Sequence, residues 1–224
     1  MRLRIHALLF IFVLTSCETE VDHHGINVQE QQDDDVEQQT ISYTKFNPDR
    51  IENFEVEGFD IEEAFRLDSI IIFSAYSNGD IESAKTPVDW GDGLTMLKND
   101  SIYFQSKRVG DPYQYEPNFY RNESNGKVII ICQLGNEENY GGEAFLLNNG
   151  NVKFIGKIEM ECPFETFDNT GLIEIIRISE NGNSIYFDFE SDTLINLTKN
   201  EWERIVNDSI YYKYTDENFK LIGL

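Results

Sequence analysis

The chain has 224 residues, with 18 Lys and Arg against 41 Asp and Glu, for a formal net charge of −23. Phosphate backbones and anionic lipid headgroups are bound by cationic faces, so this balance argues against nucleic acid as a partner and against electrostatic docking on a membrane. Apolar residues at 40% and aromatics at 13% supply enough for a core, and they lean towards strands, where aromatic side chains pack well.

At the N-terminus, Arg2 and Arg4 precede an apolar run from Ile5 to Leu14 that is broken only by His6. The run is too short to cross a bilayer as a helix. It ends in Leu14-Thr15-Ser16-Cys17. This order of charge, apolar run, small residue and cysteine resembles the lipobox of bacterial lipoproteins, with Thr15 and Ser16 in place of the commoner small pair, a spelling tolerated in the Bacteroidota. The resemblance covers residues 1–17. It implies that residues 1–16 are a signal peptide, that Cys17 carries acyl chains such as palmitate, and that the chain is held in the bacterial cell envelope, at the outer membrane. The bland alternative is an ordinary cleaved signal peptide with a chance cysteine.

Residues 17–44 read as the lipidated cysteine and a disordered acidic tether. Between Glu18 and Thr44 there are 8 acids and no Lys or Arg, and too few large apolar groups to order the segment. A flexible chain of this length spans on the order of 30 Å, and like charges stretch it. The acidic Glu18-Thr19-Glu20 also resembles surface-export tags of Bacteroidota lipoproteins.

From residue 45 to 224 the pattern is that of a single β-rich domain. A short helix is expected at 60–67. Continuous apolar runs at 69–73 and 127–134 read as strands buried on both faces. Clean alternation follows at Val152, Phe154, Ile158 and Met160, and again at Ile185, Phe187 and Phe189, as in antiparallel strands with one wet face. Further strands are expected near 101–107, 113–121, 143–148, 171–179, 193–198, 208–215 and 218–223. Asn-Gly pairs at 77–80, 148–151 and 180–183 mark tight turns. A helix is expected at 199–206, where Thr198 and Glu201 form a capping box. Related fragments, such as Asp-Ser-Ile at 68, 100 and 208, recur without a fixed period. The expected fold is therefore all-β: an antiparallel meander of hairpins in two layers, a sandwich or open barrel, with one or two short helices. A divergent propeller-like array is the alternative.

The chemistry available is restricted. All three histidines, His6, His23 and His24, fall in the signal peptide or tether, so the domain lacks the imidazole of Ser-His-Asp and Cys-His catalysis and of most catalytic zinc sites. There is no P-loop. No catalytic residue, metal site or cofactor is expected. Cys132 and Cys162 remain after lipidation, either as a disulfide pair or as two inert thiols. Asp89 and Asp92, beside Trp90, suggest a calcium loop or a sugar-facing loop at 88–94, against the simpler reading of solvated surface. Asp188, Glu190 and Asp192 read as solvated. The aromatic stretch 111–123 offers Tyr113, Tyr115 and Tyr120 as a carbohydrate-stacking face, or else as sheet packing. Tyr140 lies in the Gly-rich segment 132–145, where a partner contact is most expected.

The functional expectation is a membrane-anchored lipoprotein whose non-enzymatic β domain binds a protein or glycan. The alternatives are a carboxylate-dependent glycan hydrolase and an immunity-type protein against a cationic toxin.

Overall fold

The computed structural model describes residues 39–77, 90–110, 112, 114–135, 139–163, 171–198 and 202–224. The signal peptide, Cys17, Asp89 and Tyr113 lie outside them. The strands run in chain order as β1 (Ile41–Ser42), β2 (Thr44–Phe46), β3 (Asp49–Arg50), β4 (Phe59–Leu67), β5 (Ile70–Ser77), β6 (Gly91–Lys98) and β7 (Ser101–Gln105). Next come β8 (Gln114–Arg121), β9 (Val128–Gly135), β10 (Asn139–Asn148), β11 (Asn151–Ile158) and β12 (Met160–Glu161). One turn of helix, α1 (Leu172–Ile175), leads into β13 (Ile176–Asn181), β14 (Ser184–Phe189), β15 (Thr193–Asn196), β16 (Glu203–Val206), β17 (Tyr211–Thr215) and β18 (Asn218–Ile222).

The fold is all-β, and each strand ladder is antiparallel. An N-terminal sheet has the order β3-β4-β5-β6-β7, a central sheet β11-β10-β9-β8-β2 and a C-terminal sheet β1-β13-β14-β17-β18. A small sheet, β12-β15-β16, sits beside them, and none of the sheets closes into a barrel. Sandwich-like packing occurs on both faces of the central sheet. Ile129 and Ile131 of β9 join Ile178, Ile185 and Phe187 of the C-terminal sheet in one core. Val128, Ile130, Cys132 and Leu134 alternate to the other face and meet Ile72, Leu94 and Met96 of the N-terminal sheet. This double burial is why β9 is a continuous apolar run, buried from end to end. A third, smaller cluster covers the far face of the N-terminal sheet, where Ala64, Phe73, Ala75 and Leu97 pack under Phe54 and Phe59.

Several sequence expectations change. Residues 60–67 form β4 and not a helix. The segment has helix formers, but pairing with β3 and β5 overrides that weak preference and sends Ala64 and Phe65 into different cores. Residues 203–206 are likewise β16, paired with β15, and the Thr198 hydroxyl donates to Asn196 Oδ1 at 2.7 Å. Residues 199–201 lie outside the described residues. Helix α1 takes the start of the strand expected from 171. The acidic segment gives way to ordered chain earlier than composition implies: β1 pairs with β13, and Tyr43 is buried in the core. Residues 91–98, read in part as a loop, form an inner strand. There a Cβ on Gly91 would lie 1.5 Å from the carbonyl oxygen of Gly110, so the contact between the two backbones requires glycine. Among the described residues no helix is long and apolar enough to cross a membrane.

Candidate functional site

The residues singled out in the sequence separate into inside and edge. Tyr115 is fully buried and its hydroxyl donates to Glu143 Oε2 at 2.9 Å. Tyr120 is 4% exposed, and its hydroxyl donates to the Ile173 carbonyl at 3.4 Å. Burial pushes both phenols up. They are core residues, so the stacking face drawn from them is corrected: Tyr115 and Phe119 enter the core shared with the N-terminal sheet and Tyr120 the core on the other face, while Glu116 stays exposed. Asp92 is only 2% exposed and sits in β6, not in a calcium loop. Among the described residues no group of three or more His, Cys, Asp or Glu is placed to hold a metal ion. Trp90 and Tyr140 are half-buried near Asp92. Trp90 lies 6.3 Å from Tyr76, which pairs with Asp92, and burial, followed by Asp92, pushes the Tyr140 hydroxyl up.

Of the two readings for the cysteines, the disulfide is absent: Cys132 and Cys162 are both free. Cys132 lies in the core between the central and N-terminal sheets, whereas Cys162 packs on the opposite core. The central sheet separates them. Burial raises both thiols, as expected of inert cysteines.

One recess that gathers polar groups of both signs beside an aromatic pair is a cleft of about 440 Å³ at the edge of β8. Strand β2 pairs only with Phe119–Arg121, and among the described residues the earlier half of β8 has no strand neighbour on that side. Pro117 lies in this half, where a residue without an N–H fits an edge. Asn47, Arg50 and Glu63 line one side of the cleft, and Glu116 and Asn118 the other. Its apolar part is Phe65 and Phe119, edge to face with centroids 5.0 Å apart. Arg50 reaches Glu63 Oε1 at 3.3 Å, and half of its side chain remains exposed.

The electrostatics follow from acids gathered with one cation. Burial raises the Glu63 carboxyl, Arg50 lowers it and Glu116 raises it, with a net upward shift. The register of β4 against β5 slips between Ile61 and Glu63, and Glu62 is the extra residue of that bulge. Its side chain keeps exposed surface, but partial burial of the carboxyl followed by repulsion from Asp92, Glu63, Asp60 and Glu116 pushes it up to about 7. Near neutral pH Glu62, which neighbours the cleft's Glu63 along β4 but lines an adjoining recess with Glu52 and Asn53, is therefore an acid able both to donate and to accept a proton. Together the lining offers carboxylate acceptors, a guanidinium donor, two amides and an aromatic surface, the set that hydroxyl-rich rings require.

Sequence reasoning reached this site only partly. The stretch 111–123 contains Glu116, Asn118 and Phe119, but attention to its tyrosines led inward. Glu63 was hidden because 60–67 carries helix formers, and Arg50 because the two-residue strand β3 leaves no periodicity in the sequence. A strand reading of β4 with a bulge would have placed Glu62 and Glu63 at a sheet margin. No family model, curated protein or solved structure matches the chain.

Proposed function

We propose that the chain is a lipid-anchored bacterial envelope protein, held at the outer membrane through Cys17, and that its β domain is a non-enzymatic module binding a hydroxyl-rich glycan in the cleft beside β8. The observation that carries the binding role is the lining of that cleft. Arg50, Glu63, Glu116, Asn47 and Asn118 converge on a recess with an aromatic patch of Phe65 and Phe119. Sugar rings stack on aromatic faces while their hydroxyls exchange hydrogen bonds with carboxylates, amides and guanidinium groups. The test is a glycan array probed with the chain lacking residues 1–17, followed by titration of the best ligand. Glu116→Gln and Arg50→Ala should each weaken binding by roughly tenfold, the cost of about 1.4 kcal/mol for one lost charged hydrogen bond. Unchanged affinity in both variants removes the cleft as the site.

A second reading, glycan hydrolysis by paired carboxyls, is favoured by Glu62, whose carboxyl at about 7 is suited to a general acid. New reducing ends that disappear in Glu62→Gln would establish it. Binding without turnover leaves the first reading.

A further inference from the structure

The outer face of the C-terminal sheet differs from the rest of this acidic chain. The ladder registers place its residues in rows across the strands. One row is Ser179, Tyr186, Lys213 and Lys220; the next is Arg177, Asp188, Tyr211 and Ile222. The alternate residues Ile178, Ile185, Phe187 and Tyr212 enter the core, so both rows face outward. In a chain of net charge −23 this face gathers Arg177, Lys213 and Lys220. Its acids are Asp188 and, just past the end of β14, Glu190, which is engaged by Arg177. At one end the turn after β17 adds Asp216 and Glu217, and Glu217 is engaged by Lys153.

Two features stand out. Lys213 and Lys220 are directly opposite each other across β17 and β18, where like charges repel. Among the described residues neither forms an ion pair with a carboxylate. Instead the Lys213 ammonium lies over the Tyr186 ring, 5.4 Å from its centroid. Tyr186 in turn is 5.9 Å from Tyr211. The result is a patch of two tyrosine rings and two mutually repelling ammonium groups. An anion placed between the lysines removes their repulsion, and a ring laid on the tyrosines uses their half-exposed faces.

We propose that this face binds an acidic polysaccharide, with sugar rings against Tyr186 and Tyr211 and their carboxylates at Lys213 and Lys220. A polymer with about one charge per ring suits the patch better than nucleic acid or an anionic membrane, whose dense charge is repelled by the acidic remainder of the chain. This surface is separate from the cleft beside β8. The test is calorimetric titration of the chain lacking residues 1–17 with polygalacturonate at low salt, beside dextran and duplex DNA. Polygalacturonate should bind, with affinity falling as sodium chloride is added. The Lys213→Ala, Lys220→Ala double variant should lose about tenfold, and Tyr186→Ala should also weaken binding, with melting curves showing that both variants remain folded. Lys220→Gln serves as the readout should either of these variants fail to fold. Glu116→Gln should leave this binding unchanged, which separates it from the cleft. The proposal is overturned by no binding to polygalacturonate, by equal binding of dextran or DNA, or by unchanged affinity in the lysine variants.

Discussion

Glu161 is a fully buried carboxyl whose visible partners are backbone donors: Oε2 accepts from the Gly141 N–H at 2.9 Å and Oε1 from the Cys162 N–H at 2.8 Å. Burial raises its pKa from the ordinary 4.5 to about 7, although these two N–H groups and that of Leu172 pull the other way. A carboxyl that holds its proton more tightly folded than unfolded stabilises the fold at low pH. That contribution is complete below about 4.5 and is lost as pH rises to about 7. The lift corresponds to about 3 kcal/mol. The assay is urea denaturation between pH 4 and 9 of the native sequence and of Glu161→Gln, a side chain of the same size that does not titrate. The Gln variant should be less stable at low pH by roughly 1–3 kcal/mol, because its amide N–H₂ must face a backbone N–H. The native protein should lose about 3 kcal/mol more than the variant across the window. Parallel pH profiles would refute the assignment.

Other outcomes follow from the same contacts. Glu180 accepts hydrogen bonds from Tyr43 at 2.9 Å, Asn122 at 2.8 Å and Asn125 at 3.1 Å, and pairs with Lys127. Glu180→Ala leaves these donors without a partner and should cost about 3–5 kcal/mol by urea denaturation. Burial works to raise the Glu180 carboxyl, but the bonds from Lys127, Asn125 and Tyr43 hold it below the ordinary value, so its contribution should persist through neutral pH and fade only in acid. Phe145 is fully buried against Phe104 and Phe154, and Phe145→Ala should cost about 3–5 kcal/mol. Cys132 and Cys162 should both alkylate in denaturant without prior reduction, and a requirement for reductant would contradict their separation by the central sheet. Cys17→Ala should abolish palmitate labelling and release the chain from membranes; unchanged labelling would end the anchor proposal.

Much of the fold was legible because burial leaves a strong mark on a strand. The unbroken apolar run of β9 announced two covered faces, and alternation in β14 announced its register. Hairpins were marked by Asn149-Gly150 and Gly182, all at positive φ. What was hidden depended on partners far away in sequence. Strand β4 carries helix formers and is held by its neighbours, while β6 opens on a Gly-Asp-Gly that reads as a loop until Asp92 is seen buried between strands. The cleft was harder still, since Arg50, Glu63 and Glu116 come from three strands in two sheets. A single sequence shows that acids are abundant, but only the sheet edge shows which of them share a recess.

The most direct test of the account is a map of where a glycan touches the chain. Amide and side-chain NMR shifts would be followed as the best array ligand is added to the labelled chain lacking residues 1–17. The account predicts shifts concentrated at Asn47–Arg50, Glu62–Phe65 and Glu116–Phe119, with the Arg50 and Asn118 side chains among the largest. Shifts confined to other surfaces, with these segments unmoved, would contradict it.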